Sequence, residues 1–183
     1  PQADAAVNYC TLGAVIGHEI THGFDSMGRL FDANGALRDW WGPADGQAFI
    51  ARSRNLVEQA NAFEVLPGVH LNGELSSGEN LADVGGVMLG YEALQAYLQA
   101  HPEENRKIDG FTPQQRCFLA WAQNWADKMH PDLLRTLAAS DPHPPGRYRM
   151  IAPSRNLQGF YNAFGVRAGD AMWIDPAKRV DIW

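Results

Sequence analysis

The chain has 183 residues, 45% hydrophobic and 20% charged, with a formal net charge of −6. That apolar fraction excludes a disordered tail and suits one unit able to bury about two thirds of its surface. The acidic balance excludes a nucleic-acid surface, which needs clustered Lys and Arg.

A 3.6-residue periodicity dominates and strand-like alternation is scarce, so the fold is expected to be mainly α. The first predicted helix runs from about Ala5 to Phe24, with Leu12, Ile16 and Ile20 forming an apolar ridge. A turn-rich stretch follows from Asp25 to Pro43, and a second helix spans Ala44 to Phe63. Glu64 to Gly78 reads as loop, with a short extended piece around Val69 to Leu71. The third helix runs from near Gly78 to Ala100 on a stripe of Leu81, Val84, Met88, Tyr91, Leu94 and Leu98. Thr112-Pro113-Gln114-Gln115 has the pattern of a capping box, opening a fourth helix to about Met129. Pro131 opens a short helix through Leu137. Three prolines and a glycine make Asp141 to Arg149 a constrained loop, and a last helix covers about Ser154 to Phe164. Arg147, Arg149 and Arg155, the nearest approach to a basic cluster, are placed in that loop region.

No run approaches 18 apolar residues, so no transmembrane helix is expected, and no cationic start precedes an apolar run as in a secretory signal. Two cysteines are too few for a disulfide scaffold. Cys10 and Cys117 lie in apolar stretches and are expected to be buried free thiols. The chain opens with Pro1 and reaches its strongest motif by residue 18, which suggests a cut through a longer polypeptide.

That motif is His18-Glu19-Ile20-Thr21-His22. Helix residues four apart share a face, so both imidazoles can converge on one ion, and Glu19 can reach a water on it. Buried unpaired histidines would be costly, whereas metal-bound ones are satisfied. A catalytic zinc needs a third protein ligand and an open fourth position. Glu79 and Asp83, four apart in Glu79-Asn80-Leu81-Ala82-Asp83-Val84-Gly85-Gly86, offer it. Glu79 could instead be a capping glutamate answering Ser76, and Asp83 a solvated acid. The helical glycines favour ligation, because they allow close approach to the helix carrying His18 and His22.

The stretches Val15-Ile16-Gly17-His18-Glu19-Ile20-Thr21-His22-Gly23-Phe24-Asp25 and Gly78-Glu79-Asn80-Leu81-Ala82-Asp83-Val84-Gly85-Gly86 closely resemble the neprilysin family of zinc metallopeptidases, which includes endothelin-converting enzymes and bacterial oligopeptidases. His70-Leu71-Asn72-Gly73, Asp141-Pro142-His143-Pro144-Pro145-Gly146-Arg147-Tyr148-Arg149, Phe160 to Phe164 and Trp183 extend the resemblance, in order, over nearly the whole chain. It implies a thermolysin-like gluzincin catalytic subdomain, mainly α with little or no sheet, holding one Zn2+ between two packed helices. Residues 1–183 would form a single unit, the C-terminal catalytic part of a longer metallopeptidase. The implied ligands are His18, His22 and Glu79, with Glu19 as general base. Asp83 would accept the outer N–H of a zinc-bound histidine, and Asp25 would be an acid near His22. His143 would stabilise the oxyanion, and Arg149 would bind a substrate carbonyl. Arg147 fits that role less well by spacing. His70 is read as ordering its loop, His101 and His130 as capping helix ends, and Trp40-Trp41 as core aromatics.

Two departures stand out. The upstream Asn-Ala-Xaa-Tyr-type strand with which the family binds the substrate backbone has no counterpart here. Val166 and Val180 stand where animal members carry cysteines, which points to a bacterial source, in periplasm or cytoplasm. The resemblance implies a zinc endopeptidase acting on oligopeptides with a hydrophobic residue on the amine side of the cleaved bond. The alternative is a zinc-bound but catalytically silent fragment or peptide-binding module. Either would pack against the missing N-terminal part of the full-length protein.

Overall fold

In the computed structural model, which describes residues 3–181, Asp4 opens the first helix by accepting a hydrogen bond from the Ala6 N–H. Helix α1 (Ala5–Asn8) runs through a π turn (Tyr9–Gly13) into α2 (Ala14–Thr21), which closes in a 3-10 turn (His22–Phe24). These bounds match the expected first helix. Its apolar ridge does not face the core: Leu12, Ile16 and Ile20 are 66%, 53% and 58% exposed. Cys10, Ala14, Gly17, His18 and Thr21 are buried instead.

The reason lies in α4 (Ser77–Ala100), which crosses this small-residue face. A Cβ on Gly86 would overlap the Ala14 carbonyl oxygen and lie 2.6 Å from the His18 nitrogen. One on Gly90 would lie 2.5 Å from the Tyr9 carbonyl oxygen. The backbones therefore touch with almost nothing between them. Each helical glycine costs about 1 kcal/mol relative to Ala, which the packing of the seam offsets. Residues 79–87 of α4 are all buried, so this stretch is the centre of the molecule.

Around it, Leu56 of α3 (Pro43–Asn61), Leu81, Val84 and Val87 of α4, and Phe118 and Trp121 of α5 (Pro113–Asn124) form the main core. Trp41 packs at its edge, as expected of a core aromatic, whereas Trp40 is 44% exposed. The fold has one small sheet among the described residues, an antiparallel hairpin of β1 (Glu64–Leu66) and β2 (Val69–His70) turning at Pro67-Gly68. Gly68 takes φ +74°, a left-handed conformation that favours glycine. The hairpin packs Val65 and Leu71 against Ala138 of α6 (Pro131–Ser140) and Tyr148.

Both bonds of the Thr112 capping box are present. α5 ends at Asn124 rather than near Met129, because Trp125 leaves helical geometry (φ −108°, ψ 12°). The expected loop through Arg149 is shorter: α7 (Gly146–Asn156) starts at Gly146, so Arg147, Arg149 and Arg155 are helical. Pro153 lies inside α7 and supplies no N–H for the Arg149 carbonyl four residues earlier. The Trp121 Nε1–H donates to that carbonyl instead, at 2.9 Å. Leu157 is extended and separates α7 from α8 (Gln158–Phe164).

Cys10 and Cys117 are joined in a disulfide, which corrects the free-thiol expectation. Burial in apolar surroundings is common to core thiols and core disulfides, and only the packing of the π turn on α5 brings this pair together. In a chain-entropy account, closing a loop of about 100 residues contributes about 4.7 kcal/mol. Trp183 lies outside the described residues, among which no helix is long and apolar enough to cross a membrane.

Candidate metal centre

α2 and the 3-10 turn that closes it present His18 and His22 one turn apart, and the first turn of α4 presents Glu79. The Nε2 atoms of the two histidines are 3.0 Å apart. Glu79 Oε2 lies 3.5 Å from His18 Nε2, and Oε1 lies 3.4 Å from His22 Nε2. A tetrahedral zinc with bonds of about 2.0–2.1 Å places its ligand atoms about 3.3 Å apart. The triangle fits such an ion, and its donor set of two imidazoles and a carboxylate is that of a catalytic rather than a closed structural site. Glu79 is not a cap: Ser76, the N-cap of α4, makes no side-chain capping bond, and its Oγ donates to the Asn72 carbonyl.

Carboxylates hold the outer edge of each imidazole, as is usual behind metal-binding histidines. Asp83 Oδ1 is 2.9 Å from His18 Nδ1, although the approach is too oblique for a well-aligned hydrogen bond. Asp25 Oδ2 is 2.7 Å from His22 Nδ1, while its Oδ1 accepts from the Met27 and Gly28 N–H groups. Burial opposes the charged form of His18, but Asp83 and Glu79 outweigh it and push its pKa up to about 9. Metal binding must therefore displace a proton held tightly in the metal-free site. Glu79 is held below the usual carboxylate range. Burial pushes it the other way and is outweighed by the His18 bond and the charges of His143, His22 and Arg149.

Arg149 is buried, its Nε and Nη2 making a bidentate pair with Asp83 at 2.8 and 2.7 Å. Nη2 also reaches Glu79 Oε2 at 3.4 Å. Its guanidinium lies 3.8 Å from the centre of the Trp125 ring. Asp83 thus shares its carboxylate between His18 and Arg149, and the arginine balances a charge that would be costly alone at 1% exposure. His143 comes to the rim of the same site, its Nε2 3.3 Å from Glu79 Oε1. Glu19 is exposed on α2, within the same turn as the ligands.

His70 stands apart, its Nδ1 3.1 Å from the Asn61 carbonyl, where it ties the hairpin to α3. His130 caps α6, accepting from the Asp132 N–H. Three further contributors escaped the sequence reading. Asp141 Oδ1 accepts from both the backbone N–H and the Nδ1 of His143, and these bonds lower its pKa. The Asp-x-His spacing at a helix end is a signal that could have revealed it. Trp121 of α5 and Trp125 just past its end support Arg149 from a separate segment, and no local pattern announces that.

The family model described as Peptidase family M13 matches residues 1–180. Neprilysin-2 of Drosophila melanogaster is 37% identical over 180 residues, covering 97% of this chain and 23% of its own length. Human neprilysin is 37% identical over 186 residues, covering 100% and 24%. The crystal structure of the Mycobacterium tuberculosis zinc metalloprotease ZMP1 in complex with inhibitor superposes with a TM-score of 0.94 at 42% identity, covering 100% of this chain and 28% of that one. PepO from Lactobacillus rhamnosis HN001 gives 0.85 at 36% identity, covering 100% and 27%. The chain spans about a quarter of the length of the curated relatives it matches.

Proposed function

The chain belongs to peptidase family M13, and on that premise we propose that it is the zinc-binding catalytic part of a longer endopeptidase that cleaves oligopeptides. The preferred bond would have a hydrophobic residue on its amine side. The observation that carries this reading is the His18–His22–Glu79 triangle, with Glu19 on the same helix as both imidazoles. A purely structural zinc needs neither that glutamate nor an open position.

Zinc held by His18, His22 and Glu79 would supply a water of lowered pKa and would polarise the scissile carbonyl. Glu19 takes the water's proton and delivers it to the leaving amine nitrogen. His143, held by Asp141, would donate from Nε2 to the carbonyl oxygen as charge develops there; losing one such donor typically costs about 10²–10³ in kcat. Arg149, with Nε and Nη2 taken by Asp83, has Nη1 for a substrate carbonyl. Asp83 and Asp25 keep the two imidazoles oriented.

The exposed ridge of Leu12, Ile16 and Ile20 supports packing against the remainder of the longer protein. The disulfide supports maturation in an oxidising compartment, hence periplasm rather than cytoplasm for a bacterial source. A second reading, a zinc-bound module silent without the upstream substrate clamp, is favoured by the quarter-length match.

A quenched peptide library offered to the zinc-loaded chain, with Glu19→Gln beside it, tests both readings. Cleavage lost in Glu19→Gln with zinc retained supports the endopeptidase. Full zinc without cleavage by the unaltered chain supports the silent module. Cleavage that survives Glu19→Gln removes Glu19 from its role.

A further inference from the structure

Helix α5 grips the N-terminal helix through two adjacent residues. Arg116 forms a two-pronged ion pair with Asp4, the N-cap of α1, its Nη2 3.1 Å from Asp4 Oδ1. Cys117 is bonded to Cys10 in the π turn, both sulfurs fully buried beside Ala6, Leu94 and Leu98. From Cys10 the helix continues without a break to His18, about 12 Å along the axis at 1.5 Å per residue.

The seam between α2 and α4 explains why such a tie matters. Helices ordinarily lock their axial register by interdigitating side chains. Here Gly17 and Ala14 meet Gly86 and Gly90, so the contact is smooth. On the opposite face, Leu12, Ile16 and Ile20 are largely exposed. Metal–ligand distances in a competent site fall within about 0.2 Å of their usual values. His18 and His22 ride on one side of this smooth seam and Glu79 on the other.

We propose that the Cys10–Cys117 disulfide is a positioning clamp for the metal-binding helix, setting the axial register at which His18 and His22 meet Glu79. The same helix α5 also supports Arg149 through Trp121, so it references both sides of the site to one element. The proposal rests on the metal-centre reading and assigns these cysteines a part in it.

The test is the zinc dissociation constant, measured by competition with a chelating dye well below the unfolding temperature. It compares the oxidised protein, Cys10→Ala/Cys117→Ala, and the wild-type protein reduced by a water-soluble phosphine. Reduction adds two electrons and two protons to the disulfide, and the phosphine leaves as its oxide with the oxygen of a water. A mass gain of two hydrogens verifies it. Leu71→Ala, in the hairpin core away from α5, is the control for lost stability alone.

The expected result is a tenfold or larger rise in the constant in both disulfide-free forms, with helical circular dichroism retained and Leu71→Ala within twofold of wild type. A lowered melting temperature with an unchanged constant would make the bond a general staple and overturn the clamp. Equal weakening in Leu71→Ala, or failure of both disulfide-free forms to fold, would overturn it as well. An oxidised protein that binds no zinc would overturn the metal-centre reading and the clamp together, whereas binding that ignores the disulfide would overturn the clamp alone.

Discussion

The face of α2 that meets α4 carries Ala14, Gly17, His18 and Thr21 and is buried, whereas the opposite face, with Ile16, Ile20 and Leu12 of the preceding π turn, is open. This inverts the usual amphipathic rule, in which the large aliphatic stripe faces the core. The metal triangle supplies the reason. Its ligand atoms must meet at 3.0–3.5 Å across the seam, so the two backbones must come close and only small side chains fit between them. The aliphatic area is displaced to the other face, where Leu12, Ile16 and Ile20 stay largely exposed.

The contrast can be broken most severely at its buried charge. Arg149→Met would leave Asp83 enclosed without its cation and should cost about 3–5 kcal/mol in denaturant unfolding of the metal-free protein. A loss below about 1 kcal/mol would mean that His18 alone balances Asp83. Gly86→Ala should come next, because the added methyl must push α4 from Ala14 and His18. About 1–3 kcal/mol of overpacking is expected, together with weaker zinc binding by dye competition. Unchanged zinc affinity there would show that the seam is not what sets ligand spacing.

An effect of similar size should follow pH in the metal-free protein. The pKa of His18 is raised from 6.5 to about 9 in the fold, so its stabilising contribution is complete below pH 6.5 and is lost as pH rises through 9. Melting temperature measured across that window should fall, and His18→Gln should flatten the fall. The smallest effect belongs to the open face. Ile16→Gln should change the stability of the chain by no more than about 0.5 kcal/mol, since nothing buried is disturbed. A larger loss by thermal melting would mean that the ridge already packs within this chain.

Much of this architecture is legible locally. The His18-Glu19-Ile20-Thr21-His22 spacing, the Glu79–Asp83 pair and the Thr112 capping box each depend on residues within one or two helical turns, and each stands where its pattern indicates. The start of α7 was not legible, because Pro142, Pro144, Pro145 and Gly146 read as a constrained loop through Arg149, and only the packing of α5 shows Trp121 satisfying the Arg149 carbonyl that Pro153 leaves without a donor. Asp141 was legible only in part, as an Asp-x-His spacing whose use depends on where His143 stands relative to Glu79.

The sequence by itself determined most of the helices though not the start of α7 or the end of α5, the small-residue pattern that lets two of them touch, and the residue types able to hold a zinc ion. These follow from side-chain size and periodicity within single segments. The tertiary structure alone decided which face of α2 is covered, that Cys10 meets Cys117, and that Asp83 serves His18 and Arg149 at once. Those outcomes depend on distances between segments far apart in the chain, set by the packing of α2, α5 and α7 around the buried half of α4.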